Sequence, residues 1–68
     1  MKRMFGLQMC QSLESRGWVL VRVSGVHHIY RHPTNQRYTI VPVRRSKPMK
    51  PTTQRHLARD LTPLVDEL

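Results

Sequence analysis

Between Gly17 and Val43 the chain reads as three short β-branched runs separated by two turn signals. In "WVLVRV", Val19, Val21 and Val23 alternate with Trp18, Leu20 and Arg22, the period of a strand. Ser24-Gly25 is a turn pair, "VHHIYRH" continues as a second strand, and "PTNQ" (Pro33 to Gln36) turns the chain again. "RYTIVPV", from Arg37 to Val43, is the third strand. Pro42 has no N–H to give a ladder, so this strand has an exposed edge there or ends there. Connections this short join neighbouring antiparallel strands, which makes the middle of the chain a meander.

Such a meander needs a cover for one face. Phe5, Met9 and Leu13 recur every four residues with Cys10 beside Met9, an apolar stripe on a helix that starts near Leu7 because Gly6 weakens its first turn. Gly17 supplies the left-handed stop. After the loop "RRSKPMKPT", Thr52 or Thr53 caps a second helix that runs to about Leu61, with Leu57, Ala58 and Leu61 on its buried side. Thr62-Pro63 restarts a short helix with Leu64, Val65 and Leu68. The expected fold is α+β: α-β-β-β-α, a three-stranded antiparallel sheet packed on helices, one domain over residues 1–68. At 68 residues the core is thin, and a shallow surface site suits the chain better than a deep cavity.

Charge narrows the partner. From Ser15 to Arg59 there is no carboxylate, while ten Lys and Arg lie there. A surface built from that stretch is positive, and nucleic acid is the natural ligand ahead of an anionic membrane or an acidic protein. Cys10 is the single cysteine, so no internal disulfide forms, and a lone thiol fits the reducing cytoplasm. No apolar run reaches the roughly 20 residues that cross a bilayer. The N-terminal stretch, interrupted by Gln8, Gln11 and Ser12, does not read as a signal peptide.

Three of the four histidines crowd into "SGVHHIYRHP". As metal ligands they fit poorly. His27 and His28 point to opposite faces of a strand, and His28 and His32 stand about 13 Å apart along it at the usual rise. No metal and no cofactor is expected. Metal-free RNA cleavage asks for less, because RNA carries its own nucleophile, the 2′-OH. A histidine serves as acid or base near neutral pH, and Arg or Lys stabilises the phosphorane. "GVHHIYR" offers these side chains just after a turn. Ordinary strand histidines remain the alternative, and a non-catalytic RNA-binding module would use the basic face alone. Arg31 lies on the His27 face, four residues on, where it can hold a phosphate. Arg44, Arg45, Lys47 and Lys50 form a basic loop that reads as a phosphate clamp. Tyr30 and Trp18 read as core, His28 as facing away from His27, and His32 as an exposed turn residue. His56 reads as surface, and Arg55 with Arg59 as one positive edge of the second helix.

"GWVLVRVSGVHHIYRHP" (Gly17 to Pro33), "VPV" (Val41 to Val43) and "MKPTT" (Met49 to Thr53) occur in an order that resembles the HicA family of toxins, the mRNA interferases of HicA–HicB toxin–antitoxin pairs. The resemblance implies a double-stranded-RNA-binding-domain-like α-β-β-β-α fold and metal-independent, ribosome-independent cleavage of mRNA. It implies that the first histidine after the glycine turn, His27, is catalytic. It also implies a HicB-like antitoxin that covers the active face. The chain departs from the family pattern at several positions. Val26 stands where a small residue is usual, and a β-branched residue there is expected to restrict the turn. Arg44 stands where a histidine often follows Val-Pro-x; it keeps the charge but exchanges no proton at neutral pH. Thr52 replaces the glycine of Lys-Pro-Gly-Thr. Arg59-Asp60 runs into Leu61-Thr62-Pro63 without an Ala-Gly pair, and Phe5-Gly6-Leu7 is apolar where relatives are polar.

Overall fold

A computed structural model describes residues 3–61. The elements follow as α1 (Gly6–Glu14), β1 (Val19–Ser24), β2 (His27–Arg31), β3 (Tyr38–Pro42) and α2 (Pro51–Leu61). The strands form one sheet in the order β1-β2-β3, with both pairings antiparallel. The architecture is the expected α-β-β-β-α, an open sheet with its helices on one face. The helical restart at Thr62-Pro63 lies outside the described residues.

Helix α1 begins at Gly6, one residue earlier than the sequence predicts. A Cβ on Gly6 would stand 2.3 Å from the Pro42 carbonyl oxygen and 2.8 Å from the Val43 Cα. The residue that looks like a weak helix former is therefore the one that lets α1 touch the end of β3. Phe5 precedes the helix, and its N–H donates to Gln8 Oε1 over 2.9 Å. It stays exposed, so the buried stripe is Gly6, Met9, Cys10 and Leu13 rather than one that includes Phe5. At the other end Gly17 takes φ +93°. The Trp18 N–H reaches Leu13 O and the Gly17 N–H reaches Glu14 O, each over 3.1 Å, the paired bonds of a Schellman ending.

The sheet's covered face carries His28 and Tyr30 from β2, and Thr39 and Val41 from β3. Tyr30 and Val41 are fully buried with Met9 and Leu13, joined by Cys10, Trp18, Met49 and Leu57. The Tyr30 hydroxyl donates to Glu14 Oε2 over 2.5 Å, tying β2 to α1. Burial, with hydrogen bonds to Cys10 and Glu14, pushes the Tyr30 hydroxyl well above the usual tyrosine range. Burial raises the Cys10 thiol as well. Strand β1 lies beyond the helices' cover, and all six of its residues are exposed.

Two features of the sheet and its loops also differ from the sequence reading. The β1–β2 register shifts between Leu20 and Arg22, so Val21 is the extra residue of a bulge. Unbroken alternation would put Val19, Val21 and Val23 on one face. The bulge instead sets Val19 and Arg22 on the open face and Leu20 and Val23 on the covered one. His32 is half-buried, not an exposed turn residue. Its ring meets Trp18 edge to face at a centroid distance of 5.1 Å and an angle of 82°. Its Nδ1 accepts the Thr34 N–H at 3.3 Å. The loop closes through Gln36 at φ 63°, whose N–H donates to His32 O over 2.8 Å.

Candidate functional site

The turn that delivers His27 has two residues, Gly25 and Val26. Gly25 takes φ +59°, while Val26 is not among the positive-φ residues. The left-handed demand falls wholly on the glycine, so the β-branched Val26 fits the second position without strain, and the expected restriction is absent. His27 opens β2 on the open face, opposite Pro42 of β3. Pro42 has no N–H to donate. One step on, the Val43 N–H reaches Val26 O over 2.7 Å and closes the ladder past His27.

The basic loop leaves β3 at this point. It is pinned at Met49, whose side chain is buried in the core. Arg3 donates to Met49 O from Nε at 3.1 Å and from a terminal nitrogen at 2.9 Å. The Met49 N–H donates to Met4 O over 2.9 Å, and the Met4 N–H to the buried Gln54 Oε1 over 2.8 Å. Arg3 is thus an anchor of the loop. With Met49 fixed, Arg44, Lys47 and Lys50 turn toward His27 around a cleft of about 300 Å³. Ile40, Pro42 and Met49 give it apolar walls, and Thr53 closes it from the first turn of α2. That turn carries the positive end of the helix dipole, with no acidic side chain to oppose it. The cleft brings one imidazole, a proton-exchanging group, together with three cations, which is a setting for a phosphate.

The described carboxylates stand away from it. Glu14 accepts from Tyr30, and Asp60, nearly buried, pairs with Arg37 at 3.2 Å. Among the described residues no three His, Cys, Asp or Glu side chains gather in a group that could hold a metal ion. No described helix is long and apolar enough to cross a membrane.

Of the residues singled out in the sequence, His27, Arg44, Lys47 and Lys50 line this one cleft. Arg31 shares the open face but stands at the far end of β2, about 13 Å along the strand, and its guanidinium donates to Gln36. Arg45 is exposed on the same loop without lining the cleft. His28 is half-buried on the face opposite His27. The structure adds Arg22 and Thr53. Ser24 pairs with His27 and Arg22 with Ile29, so Arg22 is the diagonal neighbour of His27 on the open face. Arg22 lies on the turn side of the bulge, two residues before Ser24, so the hairpin register sets it on the His27 face. Thr52 or Thr53 reads from sequence as a cap, but α2 already begins at Pro51, so both lie inside its first turn, where Thr53 lines the cleft.

The family model for the HicA toxin of bacterial toxin–antitoxin systems matches residues 7–62, most of the chain. The chain belongs to the HicA toxin family. It is the toxin of a toxin–antitoxin pair, with an antitoxin as its partner. The HicA match takes in all of the described elements except Gly6, the first residue of α1, and the whole cleft falls inside it. Searches of curated proteins and of solved structures gave no match.

Proposed function

We propose that this HicA-family toxin is an endoribonuclease that cleaves mRNA without a metal ion, with His27 as the general base. The observation that carries the reading is the meeting of His27 with Arg44, Lys47 and Lys50 around one cleft. An RNA phosphate held by these cations puts the adjacent 2′-OH within the imidazole's reach. His27 takes the 2′-OH proton as the oxygen attacks phosphorus. Arg44, Lys47 and Lys50 balance the charge that grows on the phosphorane. The bond to the 5′ oxygen breaks, leaving a 2′,3′-cyclic phosphate on one fragment and a 5′-hydroxyl on the other. The departing oxygen takes up a proton, for which the lining offers the lysine ammonium groups. Arg44 acts by charge alone.

The open face also suits neutralisation by a HicB-like antitoxin. Val19, Tyr38 and Ile40 expose apolar surface on the face that holds His27, and a protein that covers it buries the active site with them. Toxin, mRNA and antitoxin meet in the cytoplasm in this reading.

The test is cleavage of mixed-sequence RNA in excess EDTA by wild type and by His27→Ala, with RNA affinity measured on both. Cleavage by wild type alone, with affinity retained in the variant, is expected. Binding by both with cleavage by neither would make the protein a non-catalytic RNA-binding member of the family.

A further inference from the structure

We infer that the outward stripe of α2, formed by Thr52, Arg55, His56 and Arg59, is a second phosphate-binding track that holds the backbone of an RNA strand as it leaves the His27 cleft. This extends the RNA reading above and rests on it.

The four residues are spaced i, i+3, i+4 and i+7, so they share one side of the helix. All four are exposed, while Gln54 and Leu57 turn into the core. They line a separate shallow cleft of about 170 Å³. No carboxylate among the described residues answers them. Asp60, next to Arg59 in sequence, points away and pairs with Arg37 at 3.2 Å. The fold gains little from this arrangement. Like charges four apart on a helix repel, and Arg55 sits in the half of α2 where the dipole disfavours a cation. A polyanion relieves both costs.

The two clefts adjoin. Thr53 lines the His27 cleft and Thr52 lines the α2 cleft, so they meet at the first turn of the helix. A strand with one phosphate near Lys50 and Thr53 continues along α2. Arg55 and Arg59 lie about 6 Å apart along the axis at the helical rise, comparable to the separation of successive phosphates. Guanidinium, imidazole and hydroxyl groups presented this way grip backbone rather than bases, so the track adds affinity without sequence choice.

The probe is 2′-O-methyl RNA, which lacks the nucleophile and stays intact, in lengths of roughly four and roughly sixteen nucleotides, the span of common single-strand sites. Wild type binds the longer strand more tightly than the shorter. In Arg55→Gln/Arg59→Gln the longer strand weakens by about tenfold or more. Its log affinity against log salt becomes shallower by about 1.4, from about 0.7 per lost contact on a single strand. The shorter strand is affected little, and Arg55→Lys/Arg59→Lys restores long-strand binding. Unchanged long-strand affinity and slope in the Gln variant would overturn the inference while leaving the cleft reading intact. So would an equal loss on both lengths. A wild type that binds neither strand would sink the RNA reading and this track with it.

Discussion

The Tyr30 hydroxyl donates to the Glu14 carboxylate over 2.5 Å, joining the middle strand to the last turn of α1 at the edge of the core. A hydrogen bond to a charged acceptor contributes about 1.5–3 kcal/mol. Tyr30→Phe is expected to lower unfolding stability by an amount in that range, measured by urea denaturation at neutral pH.

The same hydroxyl sets an alkaline limit. Its folded-state pKa is raised, chiefly by burial, so the folded state favours the protonated form. That contribution is fully present below the unfolded value of about 10 and is lost as pH rises beyond it. The buried Cys10 thiol shifts in the same direction and adds to the loss on the alkaline side. In a Tyr38→Phe background, where Tyr30 is the remaining tyrosine, ultraviolet titration should show ionisation of Tyr30 together with unfolding. Ionisation near pH 10 in a protein that stays folded would contradict this.

Gly6→Ala is expected to destabilise the fold by about 1–3 kcal/mol, the range for forcing an extra carbon into a packed contact. The added Cβ meets backbone on β3, the Pro42 carbonyl and Val43, neither of which is a flexible side chain. Thermal melts of wild type and variant measure it. An unchanged or higher melting temperature would mean that α1 and the end of β3 do not touch in this way.

Gln54→Ala removes the acceptor of the Met4 N–H, one link in the chain that pins Met49. Leaving such a group unpaired costs about 1–3 kcal/mol. Hydrogen exchange should quicken at the amides of Met4 and Met49, and RNA affinity should fall with the loosened loop. Wild-type exchange at both amides would separate the loop's position from Gln54.

His32→Ala separates the histidines by role. His32 packs on Trp18 and lines neither cleft. Its loss should cost about 0.5–1.5 kcal/mol of stability for the aromatic contact, read by chemical denaturation, while RNA cleavage persists.

The strands are legible in the sequence because β-branched residues and turn pairs both mark them. So are the cations, since no acid interrupts their stretch. The bulge at Val21 is not legible, because Val19, Val21 and Val23 keep the alternating pattern through it, and it parts Val19 from Val23, which lie on opposite faces. Gly6 reads as a weak helix residue until β3 is known to pass 2.3 Å from where its Cβ would lie. His32 looks like turn punctuation before proline, yet the ring of Trp18, distant in sequence, claims it. The cleft depends on the buried anchors Met49 and Gln54, which hold a loop that composition alone marks only as basic. Arg44, Lys47 and Lys50 face His27 because of that anchoring, and Arg45, between them in sequence, does not line the cleft.

Cleavage through the 2′-OH with His27 as base is tested most directly by single-turnover reactions on two RNAs of one sequence, one all-ribose and one with a single 2′-deoxy residue at the cleaved position. Wild type should cut the first to a 2′,3′-cyclic phosphate and leave the second intact at that position. His27→Ala should bind both and cut the first slower by about 10²-fold or more, the usual contribution of a positioned base. Equal cutting of the deoxy-substituted strand, or an undiminished rate in His27→Ala, would contradict it.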